Sequence, residues 1–253
     1  MAYKLNKRLI HLSSISVSGN YLVTQNNRDI DFSENNLYIG QNYSNNVYVH
    51  SKFESEKIVL DYMKKGLKSQ IHRIGILAGR FSDGVFQENI TDNAFYSRIK
   101  SIVALSAISK SMLNHQIEFT PVDICTKAII RLAKNKVTDN KIYHLYNHNL
   151  TTIENIINTL RKFDITIEIL NDKEFQEKIL NLSSQNNSNA LSGIINDLNL
   201  NDNSLMSINY NFSVNIKSDY TRKYLHLLKC NWNDCDQNYL TKIVSYMRKV
   251  NFI

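Results

Sequence analysis

Short apolar runs alternate with longer amphipathic stretches between residues 8 and 147, and this alternation restricts the fold more than any other feature. Residues 8–17 read as a buried strand running into a serine-rich turn. Residues 20–46 are polar and rich in asparagine, which predicts a surface loop. Over 48–65, with Val47, Phe53, Ile58, Val59, Tyr62 and Met63 at helical spacing, the pattern predicts an amphipathic helix stopped by Gly66. Residues 70–79 predict a second strand with a loop, 94–109 a helical stretch, 124–134 a helix, and 141–147 a third strand. Strands alternating with helices imply an α/β unit with a mostly parallel sheet. Past residue 150 the texture changes. Helical segments at 152–162, 172–182 and 238–250, around a polar stretch at 183–203, predict a smaller and mainly helical region. The expected division is 1–150 and 151–253.

Composition bears on partners more than on fold. The chain has 253 residues, 43% hydrophobic and 21% charged, which is ordinary for a globular protein with a sizeable core. No run approaches the ~18 apolar residues of a membrane span, and residues 1–8 lack the apolar core of a signal peptide. The expectation is a cytoplasmic protein with no membrane partner. A formal charge of +7 and a pI near 9.1 suit an anionic partner. The basic residues are spread along the chain without interleaved aromatics, so a phosphorylated cofactor or carrier is expected and nucleic acid is not. Cys125, Cys230 and Cys235 lack the repeated spacing of a zinc site and read as reduced, structural cysteines. The scattered histidines predict no metal.

Tyr48 and Lys52 stand one helical turn apart, on one face. A free phenol has a pKa of about 10, and a cation within roughly 4–6 Å favours its deprotonated form. Alone, such a pair more often marks a helix-start aromatic beside a solvated lysine. Its meaning depends on what surrounds it.

Four blocks do surround it, in order. They are Leu12-Ser13-Ser14-Ile15-Ser16-Val17, then Tyr48 to Lys52 followed by Phe53-Glu54-Ser55-Glu56-Lys57, then Arg73-Ile74-Gly75-Ile76-Leu77-Ala78-Gly79, then Thr120-Pro121-Val122-Asp123 before an apolar helix. They resemble, in turn, the Val-Ser-Thr-Ile-Ser-Val strand end, the Tyr-x-x-Ser-Lys-x-x-x-Glu helix, the Arg-Pro-Gly-x-Ile-x-Gly turn and the Pro-Val-Asp block of the extended short-chain dehydrogenase/reductase superfamily. Within it, the chain resembles the terminal thioester reductase domains of nonribosomal peptide synthetases over residues 8–147. Its Asn-rich, low-complexity style is similar to the aureusimine-type dipeptide synthetases. Arg80-Phe81-Ser82-Asp83-Gly84 resembles the family's segment near cofactor and acyl chain, with a plain surface loop as the equal alternative.

The resemblance implies the C-terminal part of a doubly wound, Rossmann-like parallel sheet with a smaller helical substrate and carrier-docking region. It implies NADPH as cofactor and a phosphopantetheinylated carrier domain bearing a peptidyl thioester as partner. The reaction would be reductive release as an aldehyde, or as an alcohol after a second hydride. Ser14, Tyr48 and Lys52 would be catalytic, and Tyr48, Lys52, Ile74, Gly75 and Ile76 would meet the cofactor. Ile74 stands where the family has proline. Arg73 and Asp123 read as structural, an ion pair or a helix cap.

One departure is larger. The superfamily holds its dinucleotide on a Gly-rich turn, and the seven glycines, Gly19, Gly40, Gly66, Gly75, Gly79, Gly84 and Gly193, do not form one. The chain therefore reads as beginning at the fifth strand of the family's sheet, with low activity expected on its own. A nucleotide-sugar epimerase or dehydratase of the same superfamily, and a non-catalytic carrier-docking fragment, are the alternative readings.

Overall fold

A computed structural model describes the chain except residues 20, 23–29, 44–45, 184–190 and 196–213. The chain forms two compact units. The first contains Met1–Leu77, Glu118–His148 and Phe212–Asn233; the second contains Ala78–Ile117, Asn149–Asn211 and Asp234–Ile253. The chain passes between them more than once, at Leu77, Ile117 and His148 among other points. The expected polar stretch at 183–203 lies largely outside the described residues.

In the first unit, strands β1 (Leu9–Ser14), β2 (Ser69–Ile74) and β3 (Lys141–Leu145) form a parallel sheet with β2 in the centre. Helix α1 (Val47–Lys64) connects β1 to β2, and helix α2 (Val122–Lys134) precedes β3. Every residue of β2 but the last is buried, as expected of a parallel strand covered on both faces. Side chains alternate across a strand, so β2 offers Ile71 and Arg73 to one face and Gln70 and His72 to the other. Arg73 meets Glu56 of α1, whereas Gln70 Nε2 donates to Leu132 O of α2 at 3.1 Å. The two helices therefore cover opposite faces of the sheet, the doubly wound arrangement expected.

The buried stripe of α1 differs from the expected one. It is Val49, Phe53, Glu56 and Val59, while Val47, Ile58 and Tyr62 are exposed. A count of apolar residues passes over a glutamate, and Glu56 is buried because its charge has a partner. Asn46 starts the helix, its side-chain oxygen accepting from Val49 N at 3.0 Å. Asp123 is not the cap of α2. The helix begins at Val122, after Pro121, and Asp123 lies in its first turn, where a carboxylate suits the helix dipole.

The asparagine-rich stretch at 20–46 is also more than surface. Ile30–Phe32 pairs in parallel with Val214–Ile216, and Phe32, Glu34 and Gln41 are buried. Glu34 Oε1 accepts from Thr221 N at 2.8 Å and from its hydroxyl at 2.7 Å, so this carboxylate enters the core with two donors on one oxygen. Thr221 belongs to helix α3 (Asp219–Leu227), whose Leu225 joins Tyr143, Leu145, Cys125, Ala128 and Leu132 in the core behind β3.

The second unit is mainly helical. Ala94–Leu105, Ile153–Arg161, Asp172–Ser183 and Gln237–Lys249 are its longer helices, close to the expected spans. The expected helix over 94–109 stops early, at Ser106 in the left-handed region (φ 50°), and Ala107–Ser109 pairs in parallel with Glu168–Leu170 instead. The Arg80–Gly84 loop lies in this unit. Gly79 and Gly84 face each other too closely for a side chain on Gly79, and Tyr239 of the last helix donates to Gly79 O at 2.7 Å. All three cysteines are buried, and none is in a disulfide. Among the described residues no helix is long and apolar enough to cross a membrane.

Candidate active site

In open parallel α/β sheets, ligands bind beyond the carboxyl ends of the strands. Here those ends are Ser14 on β1 and Ile74 on β2, and the two are register partners. The chain then tightens into a short 3₁₀ turn at Ile15–Ser18, with Ser14 as its cap. Ser14 Oγ accepts from Ser16 N at 3.2 Å and lies 2.6 Å from Ser16 Oγ. The neighbouring Ser13 is buried, and its hydroxyl donates to Glu56 at 2.5 Å. Of this serine run, Ser13 is committed to the interior, and Ser14 stands at the edge.

Tyr48 opens α1 and is 58% exposed. The Lys52 ammonium, one turn on, lies 5.7 Å from the centre of the Tyr48 ring and donates to Leu12 O of β1 at 3.2 Å. Among the described residues this is the one protein acceptor of its three N–H groups, which leaves donors for a ligand's hydroxyls. The lysine thus links the tyrosine's helix to the strand that ends in Ser14. These positions suit a nicotinamide cofactor: an exposed phenol and an ammonium with spare donors, at the carboxyl edge of a parallel sheet.

Beneath them lies a buried network that the sequence does not announce. Ser13, Arg73 and His144 occupy one rung of the sheet, and Glu56 reaches down to it from α1. The Arg73 guanidinium and Glu56 carboxylate are fully buried and joined by Nη2–Oε2 at 2.7 Å and Nε–Oε2 at 3.0 Å. Arg73 also stacks over Phe32, 4.7 Å from the ring centre. Its Nη1 lies 2.9 Å from His144 Nε2, and an arginine can only donate. His144 therefore accepts at Nε2 and donates from Nδ1 to Lys217 O at 2.7 Å, which makes it a neutral imidazole. Burial first, then Arg73, pushes it down to about 3. On the opposite face, burial and then Arg8 push His72 down to about 4.

The turn after β2 is held by a residue that sequence reading passed over. Glu118 Oε2 accepts from Ile76 N at 2.5 Å, and Oε1 accepts from the Thr120 hydroxyl and from Asn147 N at 3.3 Å. Burial outweighs these bonds and pushes Glu118 up to about 7.

These groups contribute to the acid stability. In the unfolded chain each histidine takes a proton near 6.5, but His72 and His144 in the fold do not until about 4 and 3. Their contribution is present above about pH 6.5 and is lost as the pH falls. Glu118 opposes this between 4.5 and about 7, because its folded value is raised. Two protons outweigh one, a net slope on the order of 1.4 kcal/mol per pH unit. The urea midpoint should therefore fall between pH 7 and pH 5, and less so in His72→Gln. A midpoint that rises over that range contradicts this assignment.

A parallel sheet covered on both faces, with polar side chains at its carboxyl edge, defines a Rossmann-like α/β protein. Residues 1–129 match the family model of NAD-binding proteins described as male sterility protein, and the chain belongs to that family. It is similar to a thiolation-reductase di-domain from an archaeal non-ribosomal peptide synthetase, at 29% identity and a TM-score of 0.82, over 97% of this chain and 50% of that one. It is similar also to the aureusimine biosynthetic cluster reductase domain, at 25% identity and a TM-score of 0.76, over 99% of this chain and 62% of that one. Among curated proteins, the glycine betaine reductase ATRR of Emericella nidulans is 30% identical over 100 residues, 39% of this chain and 7% of that protein. The chain thus spans between half and two thirds of the two structures and a small part of the curated relative.

Proposed function

We propose that this chain supplies the proton donor and the nicotinamide-facing edge of an NADPH-dependent reductase that releases a carrier-bound peptidyl thioester as an aldehyde. The observation that carries this reading is the Lys52 ammonium, placed between the exposed Tyr48 ring and the backbone of the strand that ends in Ser14. The similarity to a thiolation-reductase di-domain supports a phosphopantetheinylated carrier as partner.

When bound, the nicotinamide supplies a hydride to the thioester carbonyl carbon. Negative charge then develops on the carbonyl oxygen, where preorganised donors act most strongly. Tyr48 gives its hydroxyl proton to that oxygen, and the Ser14 hydroxyl hydrogen-bonds it. Lys52 stabilises the phenolate left on Tyr48, and its remaining N–H groups would hold the ribose hydroxyls of the cofactor. In the thiohemiacetal the carbon–sulfur bond breaks, the hydroxyl proton passes to sulfur, and thiol and aldehyde leave. Release as an alcohol would need a second reduced nicotinamide and a second proton.

The pyrophosphate half of the cofactor has no glycine-rich turn among these 253 residues. In this chain NADPH and reduced nicotinamide mononucleotide should therefore bind alike, with dissociation constants on the order of 1 mM. Low-micromolar binding of NADPH by calorimetry contradicts that. The reaction itself is tested with an aminoacyl-pantetheine thioester and NADPH, trapping the aldehyde as a hydrazone for mass spectrometry. Conversion of a nucleotide sugar, with no aldehyde from the thioester, overturns the reading in favour of an epimerase.

A further inference from the structure

We propose that Glu118 is the positioning residue of the Gly75–Ile76 turn, gripping its backbone so that the turn presents a fixed edge to the nicotinamide. The inference rests on the reductase reading for its ligand and on the following geometry for the rest.

The Ile76 peptide is held from both ends. Its N–H donates to Glu118 Oε2 at 2.5 Å, and its carbonyl accepts from Thr120 N at 2.8 Å. One residue earlier, Gly75 N donates to Leu145 O at 3.0 Å and extends the pairing of β2 with β3. The second carboxylate oxygen takes the Thr120 hydroxyl and Asn147 N, and Asn147 N also lies 3.0 Å from Thr120 Oγ1. A single carboxylate thus ties together the chain leaving β2, the chain leaving β3 and the approach to α2. All of it lies at the carboxyl edge of the sheet.

Gly75 makes this possible. A Cβ there would stand 2.5 Å from Glu118 Oε2 and 2.6 Å from Tyr146 Cβ, so a side chain at that position would displace the carboxylate. Ile76, the residue gripped, is 43% exposed. The clamp therefore serves a surface edge and not the core.

The carboxylate is also costly to keep. Among the described residues it forms no ion pair with a lysine or arginine, and only N–H and O–H donors compensate its burial. Its folded value near 7 lies above the ordinary 4.5, so ionising it costs stability as the pH rises across that interval. A neutral side chain would avoid this cost, and strain of this kind gathers at functional sites. Two other titratable groups face it. Cys125 of α2 is pushed up to about 12 by burial and then by the Glu118 charge. Tyr146 is raised, chiefly by burial and less by Glu118. Both stay neutral near pH 7, which leaves Glu118 as the group that titrates there.

The test uses the full chain, labelled with ¹⁵N, and two variants, Glu118→Gln and Glu118→Asp. In the wild type the Ile76 and Asn147 amide shifts should move together with a midpoint near pH 7. Glu118→Gln should abolish that movement. Glu118→Asp, one methylene shorter, should speed hydrogen exchange at Ile76 by about tenfold or more. Both variants should bind reduced nicotinamide mononucleotide about tenfold more weakly at pH 8, with far-UV circular dichroism unchanged. The proposal is overturned if the Ile76 shift still titrates in Glu118→Gln. It is overturned equally if the nucleotide binds unchanged to a variant whose Ile76 amide has been released. If the wild type shows no response to nucleotide at all, the reductase reading falls, and the amide titration alone decides whether Glu118 holds the turn.

Discussion

Glu56→Ala is expected to destabilise this chain by about 3–5 kcal/mol, which is a large fraction of the stability of an ordinary domain. The size follows from what would be left behind. The Arg73 guanidinium is completely buried, with Glu56 as its carboxylate partner, and alanine would leave it charged and unpaired in the interior. His144 cannot take the role, since it already receives a hydrogen bond from Arg73. Ser13 would lose its acceptor at the same time. Urea unfolding followed by circular dichroism measures the loss, and a change below about 1 kcal/mol would show that Arg73 finds another partner. Removing both charges, as in Glu56→Leu with Arg73→Met, should recover much of the stability, because a well-packed apolar pair often replaces a buried ion pair at little cost. The double variant is then informative about the site. If Glu56 serves only stability, turnover returns with the fold. If it also fixes the rotation of α1, turnover stays low, because Tyr48 and Lys52 lie two turns and one turn before Glu56 on the same helix.

If the proposed reaction holds, Tyr48→Phe is expected to slow aldehyde release by about 10²–10⁴-fold, the range for loss of a positioned proton donor. The substitution removes one oxygen from an exposed ring, so stability should change little. The loss should appear in the chemical step, with the half-saturating nucleotide concentration changed less than threefold. Lys52→Ala should differ in kind. It removes the charge beside the Tyr48 ring and also the donors that the proposed reaction assigns to the ribose, so turnover and nucleotide affinity should fall together. Single-turnover trapping of the aldehyde separates the two variants. Wild-type rates in Tyr48→Phe would remove Tyr48 from the chemistry and return it to the role of a helix-start aromatic.

Much of this arrangement can be read from residue order, for a physical reason. Parallel strands buried on both faces must be apolar, and the helices between them must be amphipathic, so β1, α1, β2, α2 and β3 announce themselves by period. The polar members of the core do not. Glu56 sits among alternating charges on α1 and looks solvated until Arg73, seventeen residues on, is placed beside it. Glu118 is similarly silent. Its role depends on two backbone N–H groups from distant segments, and backbone donors leave no trace in composition. Phe32 and Glu34 were hidden by asparagine-rich surroundings, although both pack against parts of the chain beyond residue 140. The glycine at position 75 was visible, but the reason for it was not, because the atom it must avoid belongs to Glu118.

The rung that joins Ser13, Arg73 and His144 also has a consequence in time. Its last hydrogen bond runs from His144 to the carbonyl of Lys217, 73 residues further along the chain. Contacts of such long sequence separation form late, since the loop they close must be ordered first. During synthesis, the helix bearing Tyr48 can acquire its helical backbone early, but its support is complete only when Lys217 has left the ribosome. A nascent chain stopped short of that residue would carry the tyrosine and the lysine on a helix whose seat is still unfinished.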